Sequence, residues 1–180
     1  MSRIELLTAA TAPAASQPVL AQIEGAFGAT PNMFRAVSNS PAALKSMWGS
    51  FGALGAGTLD AKLGEQIAVA IADANGCEYC LAAHTALGRK AGATSADMSA
   101  AQAGQSDDPK TAAALRFASR VVEHRAHIAA DDVKALHAAG FDDGEVMEIM
   151  AHIALNLFTN YVNVAFAVPL DFPQVKLRAK

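Results

Sequence analysis

Residues 64–84 read GEQIAVAIADANGCEYCLAAH, and the fold turns on how that stretch divides. Ile67, Ala68, Val69, Ile71 and Ala72 make a helix over about 61–75 apolar almost all round. Such a helix is central rather than peripheral. Asp60 precedes it as a cap, and Asn75-Gly76 ends it. A new helix starts at Cys77-Glu78-Tyr79-Cys80 and runs to about Lys90. The short turn folds the second helix back against the first.

Helical signals continue on both sides. Pro18 opens a helix to about Phe27, and Gly28 to Pro31 marks a turn. Ser40-Pro41 is a cap followed by a proline at the first helical position, and that helix carries Leu44, Met47, Trp48 and Phe51 inward. Downstream, a short helix is expected through about Gln102 and a long one from Pro109 to about His127. Others are expected from Ala130 to Gly140 and from Asp143 to about Leu157, with a last piece reaching Ala167. Nothing alternates with period two over a useful length, so the expected class is all-α. Residues 1–17, rich in Thr, Ala, Pro and Ser, read as a flexible N-terminal arm. Residues 18–180 read as one helical domain.

The chain has 180 residues, enough for one domain with a sizeable core, and 52% of them are hydrophobic. A formal net charge of −3 without any Lys/Arg cluster makes nucleic acid and anionic membrane poor partners. No apolar run approaches the ~18–20 residues that cross a bilayer. The N-terminus has neither the basic nor the apolar region of a secretory signal. A soluble, cytoplasmic protein is expected. There, two cysteines three positions apart read as catalytic or metal-binding rather than structural.

The chemistry follows from the spacing. Cys77 and Cys80 fall in the first turn of a helix, where free N–H groups and the dipole favour a thiolate. His84 lies one turn beyond Cys80 on the same face, placed to take its proton. From Glu65 to Asn75 is about 15 Å of helix, and from His84 back to Gly76 about 12 Å. The two side chains would then stand at similar heights, with Glu65 orienting His84 as the acid does in a triad. A hydrolase needs one nucleophile. A second thiol allows a sulfenic acid to be resolved as a disulfide, which points to reduction of a peroxide or a disulfide.

Blander readings exist for each group. CxxC is also half a zinc site, with His84 and one of His124, His127, His137 or His152 completing it. His124 and His127 read as decorating a solvated helix end, His137 as a charge at a helix C-terminus, and His152 as a packing histidine. Met33, Phe34, Met47, Trp48 and Phe51 are most simply core, though some would line a pocket beside the thiols. Tyr79 either bonds a sulfur or packs.

Glu65-x11-Cys77-x2-Cys80-x3-His84 resembles the active-site pattern of alkylhydroperoxidase D and its relatives in the carboxymuconolactone decarboxylase superfamily. Pro31-Asn-Met-Phe-Arg35, Ser40-Pro41-Ala42, Gly64-Glu65-Gln66, the run Asn75 to Thr85, Phe158-Thr-Asn-Tyr161 and Asp171-Phe-Pro173 look like its peroxidase-related branch. The resemblance implies an all-α, single-domain helical bundle assembling as a homo-oligomer, a trimer or a hexamer. It implies a thiol peroxidase acting on hydrogen peroxide or organic hydroperoxides without haem, flavin, metal or other cofactor. Cys80 would be the peroxidatic thiol and Cys77 the proton donor and resolving thiol, with Glu65 and His84 as proton relay. The reductant would be a dithiol, a lipoylated or thioredoxin-like protein. Two departures stand out: Tyr79 where alkylhydroperoxidase D has a histidine, and Val164 where many relatives have one. The alternative is a disulfide oxidoreductase or redox-sensing CxxC module without significant peroxide turnover.

Overall fold

The computed structural model describes residues 1–178; the last two residues of the expected 18–180 domain lie outside them. Nine helices and no strand occur among the described residues: α1 (Gln17–Phe27), α2 (Asn32–Val37), α3 (Pro41–Gly55), α4 (Ala61–Ala74), α5 (Glu78–Lys90), α6 (Ser95–Gln102), α7 (Pro109–Glu123), α8 (Ala130–Ala138) and α9 (Asp143–Ala165). The class is all-α, as the periodicity predicts. None of these helices is long and apolar enough to cross a membrane.

Ser40 and Asp60 cap their helices as the sequence predicts, and Asp108 and Asp142 do the same further on. Ser40 accepts from the Ala43 amide, Asp60 from Lys62 and Asp108 from Thr111. Asp142 and Glu145 cap reciprocally at the start of α9. Helix α4 packs against α5, α6, α7 and α9, and Ile67, Val69 and Ala72 have no exposed surface. Its apolar circumference is the reason it sits at the centre.

Three elements differ from expectation. Helix α2 falls where the sequence shows only a turn and then a cap. Its leading amides are satisfied from afar: Asn32 N donates to Asp171 Oδ2 at 2.6 Å and Met33 N to the Tyr79 hydroxyl at 3.2 Å. Helix α7 ends at Glu123, before the expected His127, because Arg125 and Ala126 take left-handed φ values of 52° and 64°. Helix α9 runs unbroken for 23 residues instead of in two pieces. Its Thr, Asn, Tyr and Val residues favour helix weakly, and packing against α3, α4 and α5 overrides them.

The segment preceding α1 carries no helix. It lies along α2, where Leu7 N donates to Arg35 O and the Arg35 guanidinium donates back to the Leu6 and Leu7 carbonyls. Leu7 and Ala12 are buried there.

Candidate active site

The α4–α5 turn sets the site. Gly76 adopts φ +66°, a conformation that side chains disfavour, and this lets Cys77 N donate to Ala72 O at 2.8 Å. Asn75 Nδ2 ties the turn to α9 through Asn160 Oδ1 at 3.1 Å. Cys77 is thereby the N-cap of α5, with its sulfur accepting from the Cys80 amide at 3.2 Å. Cys77 and Cys80 are joined as a disulfide, their Cα atoms 5.3 Å apart. Both are buried, at 1% and 2% exposure.

One turn along α5, His84 Nδ1 lies 2.7 Å from Glu65 Oε2 on α4. The antiparallel register therefore brings together the four groups that the spacing singles out. Gly88, a further turn along α5, leaves room for two neighbours: a methyl group there would stand 2.5 Å from Met98 Cε and 3.2 Å from Glu65 Cβ.

A fifth residue completes the group. Asn163 Nδ2 on α9 is 3.2 Å from Cys80 Sγ, inside the packed interior. Asparagines 156, 160 and 163 recur at helical spacing along α9 and are all buried. That polar stripe in an otherwise apolar helix is the sequence signal that would have revealed Asn163. The adjacent Val164 is exposed, so the departure at that position lies off the face that meets the sulfur.

A cavity of about 540 Å³ opens over Cys80. Phe27, Phe34, Trp48 and Phe51 form one apolar wall, and Cys80, His84, Glu65 and Asn163 also line it. Phe34 is the hub, meeting the Trp48 ring edge-on at 5.7 Å and Phe51 at 5.9 Å. Of the residues assigned to the core, Met33, Phe34, Trp48 and Phe51 line the cavity, while Met47 is wholly buried.

Tyr79 makes no hydrogen bond to either sulfur among the described residues. Its hydroxyl accepts from Met33 N, and its ring meets Phe172 edge-on at 5.7 Å. Burial pushes the phenol well above its ordinary range, and Asp171 adds to this against the opposing Met33 amide. It is a neutral brace between α5, α2 and the C-terminal segment.

The other histidines fall elsewhere. His124, His127 and His137 are exposed, the last with Nε2 3.0 Å from Asp143 Oδ1. His152 is half-buried on α9, near Glu65 and His84. Among the described residues, no three His, Cys, Asp or Glu side chains form a metal-ligand set.

Residues 41–124 match the sequence model of the carboxymuconolactone decarboxylase family. No curated protein matches the chain. Among solved structures, a peroxidase-related protein from Ralstonia eutropha with an alkylhydroperoxidase AhpD core superposes with a TM-score of 0.85. It is 24% identical, covering 94% of this chain and 92% of its own. A peroxidase-related protein from Silicibacter sp. gives 0.81 at 24% identity, with 93% and 91% covered. A cysteine-to-alanine variant of the debrominase Bmp8, in complex with 2,3,4-tribromopyrrole, gives 0.79 at 23% identity, with 95% and 94% covered.

Proposed function

We propose that this chain, a carboxymuconolactone decarboxylase family segment set within an alkylhydroperoxidase D-like fold, is a thiol-dependent peroxidase. The observation that carries the reading is the convergence on one cavity of Cys80, its Asn163 donor and the Glu65–His84 pair. In the reduced protein, His84 takes the Cys80 proton and Glu65 holds the resulting imidazolium. The thiolate attacks the outer oxygen of a hydroperoxide. An S–O bond forms, the O–O bond breaks, and the departing alkoxide takes the proton from His84 and leaves as an alcohol. Cys77 then attacks the sulfenic sulfur, its own proton leaves with the hydroxide as water, and the disulfide closes. A dithiol, of the lipoyl or thioredoxin type, resets the pair by exchange.

Hydrogen peroxide needs only a fraction of about 540 Å³, so the aromatic wall favours bulky organic hydroperoxides. Burial of both sulfurs beside the cavity favours an oxidant small enough to enter it. A cytoplasmic setting suits the reading, because a reducing thiol pool would reset the pair.

The exposed apolar stripe on α9, which includes Met147, Phe158 and Tyr161, supports a homo-oligomer such as a trimer or hexamer. A second reading, favoured by the aromatic cavity and the fold shared with a debrominase, is reductive dehalogenation of a halogenated ring in the same cavity.

The test is consumption of cumene hydroperoxide with a dithiol reductant. Turnover in the wild type that disappears in Cys80→Ser supports the peroxidase. Unchanged turnover in Cys80→Ser refutes it, and bromide release from a bromopyrrole without peroxide turnover favours the second reading.

A further inference from the structure

We propose that His152 is a positioning residue that passes protons between the Glu65–His84 pair and solvent, across a second cavity and by way of water held at Asn156. The inference rests on the peroxidase reading for its purpose but not for its geometry.

A smaller cavity of about 140 Å³ adjoins the pair, and Phe51 is the one member of the aromatic wall that also lines it. Glu65, His84 and Phe51 line both cavities, so the ion pair and that ring stand between them. The second cavity is lined also by His152 and Asn156 of α9, and by Asp60 and Ala61, which are exposed and give it a mouth.

Three observations make this cavity more than a packing gap. Gly64, next to Glu65, is the residue against which the imidazole lies: a methyl group there would stand 3.1 Å from His152 Cε1. The missing side chain is what admits the ring beside Glu65. Asn156 is 4% exposed, with Nδ2 donating to His152 O at 2.9 Å and Oδ1 having no hydrogen-bond partner. A buried acceptor left without a protein partner, on a residue that lines a cavity with Glu65, His84 and His152, calls for water. Neither ring nitrogen of His152 makes a hydrogen bond to protein among the described residues, so either is available to water.

The charged groups around the ring are Glu65 on α4, His84 on α5, Glu148 one turn back on α9, and Asp60 at the mouth. Burial lowers the His152 pKa. Glu65 and Glu148 oppose this, and His84 adds to it. An imidazole neutral near neutral pH, facing two carboxylates, is poised to accept a proton and give it up again. The cycle needs this. The oxidative half passes the Cys80 proton on to the leaving alkoxide. In reductive exchange, by contrast, the attacking dithiol gives up its protons to solvent and Cys80 departs as a thiolate, which the pair must reprotonate with a proton drawn from solvent. While substrate fills the aromatic cavity, the pair's other face is the one open to exchange.

The experiment compares wild type, His152→Gln and Gly64→Ala as full chains. Two readouts are taken: the rate of Cys80 alkylation in the reduced protein against pH, and steady-state turnover of cumene hydroperoxide with and without added imidazole. In His152→Gln the alkylation profile is expected to lose one inflection, and turnover to fall about ten-fold. Imidazole should restore at least half of that loss. An unchanged profile with turnover within two-fold of wild type overturns the proposal. So does a turnover loss in a folded variant that imidazole does not repair. Should His152→Gln fail to fold, Gly64→Ala crowds the same ring, and wild-type behaviour there is equally fatal. If wild type consumes no peroxide, the peroxidase reading fails by itself and the alkylation profiles alone decide the role of His152.

Discussion

Asn163 Nδ2 and Cys80 Sγ stand 3.2 Å apart across 83 positions of sequence, which places a donor from α9 on the sulfur at the mouth of α5. A hydrogen bond to a charged group is worth about 1.5–3 kcal/mol. Asn163→Leu should therefore slow alkylation of reduced Cys80 at neutral pH about ten-fold, while Asn163→Gln recovers part of the rate. Iodoacetamide kinetics read by mass spectrometry decide it, and equal rates in the leucine variant would dismiss the contact as incidental.

The Glu65–His84 contact at 2.7 Å predicts a different signature. Glu65→Gln keeps the shape but removes the charge that holds an imidazolium. Peroxide turnover should fall about 100-fold, within the range typical of acid–base groups. Thermal unfolding should be little changed, since Glu65 is partly exposed. A wild-type alkylation rate in this variant would count against the relay.

Cavity size predicts selectivity. Truncating Phe34 would itself cost about 3–5 kcal/mol, so it is a poor probe. Gly52 lines the same cavity from α3, and a methyl group there meets nothing within 4 Å. Gly52→Leu should leave the fold intact and raise KM for cumene hydroperoxide several-fold, with hydrogen peroxide unaffected. Parallel changes for both oxidants would argue that the aromatic cavity does not hold substrate.

Asp73 governs acid stability. Burial raises its carboxyl pKa, but hydrogen bonds from Gln102 and Arg178, together with the Arg178 charge, outweigh that and leave it below the ordinary 3.8. A group held low in the folded chain stabilises fully above its unfolded value and loses that stabilisation as pH falls through the folded one. Asp73→Asn should thus cost about 1.5–3 kcal/mol at neutral pH. The gap from wild type should shrink at pH values below 3.8, as urea titrations at both conditions would reveal.

The outer stripe of α9 predicts assembly. Tyr161 is 61% exposed and Met147 65%. Tyr161→Glu should shift the protein toward monomer by light scattering, and a wild-type chain that is already monomeric would remove the basis for this expectation.

Much of the fold was legible because its signals are local. Ser40-Pro41, Asp60, Asp108-Pro109 and Asp142 each start a helix with residues found within three positions. The Glu65, Cys77, Cys80 and His84 quartet was legible for the same reason, since two helices and one turn carry all of it. Helix α2 was not, because Asp171 and Tyr79 satisfy its first amides from remote parts of the chain. Asn163 and His152 escaped likewise. Each reaches the site from α9; the asparagine stripe marks a polar face on that helix, but no local signal says that this face meets α5. His152 reads as a packing histidine until Gly64 is seen to make room for it.

The Glu65–His84 pair borders two chambers, one walled by aromatic rings and a smaller one into which His152 and Asn156 face. On the peroxidase reading, oxidant chemistry and acid–base traffic would use separate doors. Substitutions that recarve the ring-lined room for a new electrophile can accumulate without disturbing the plumbing behind it, which makes this scaffold easier to retarget than one whose two tasks share a single opening.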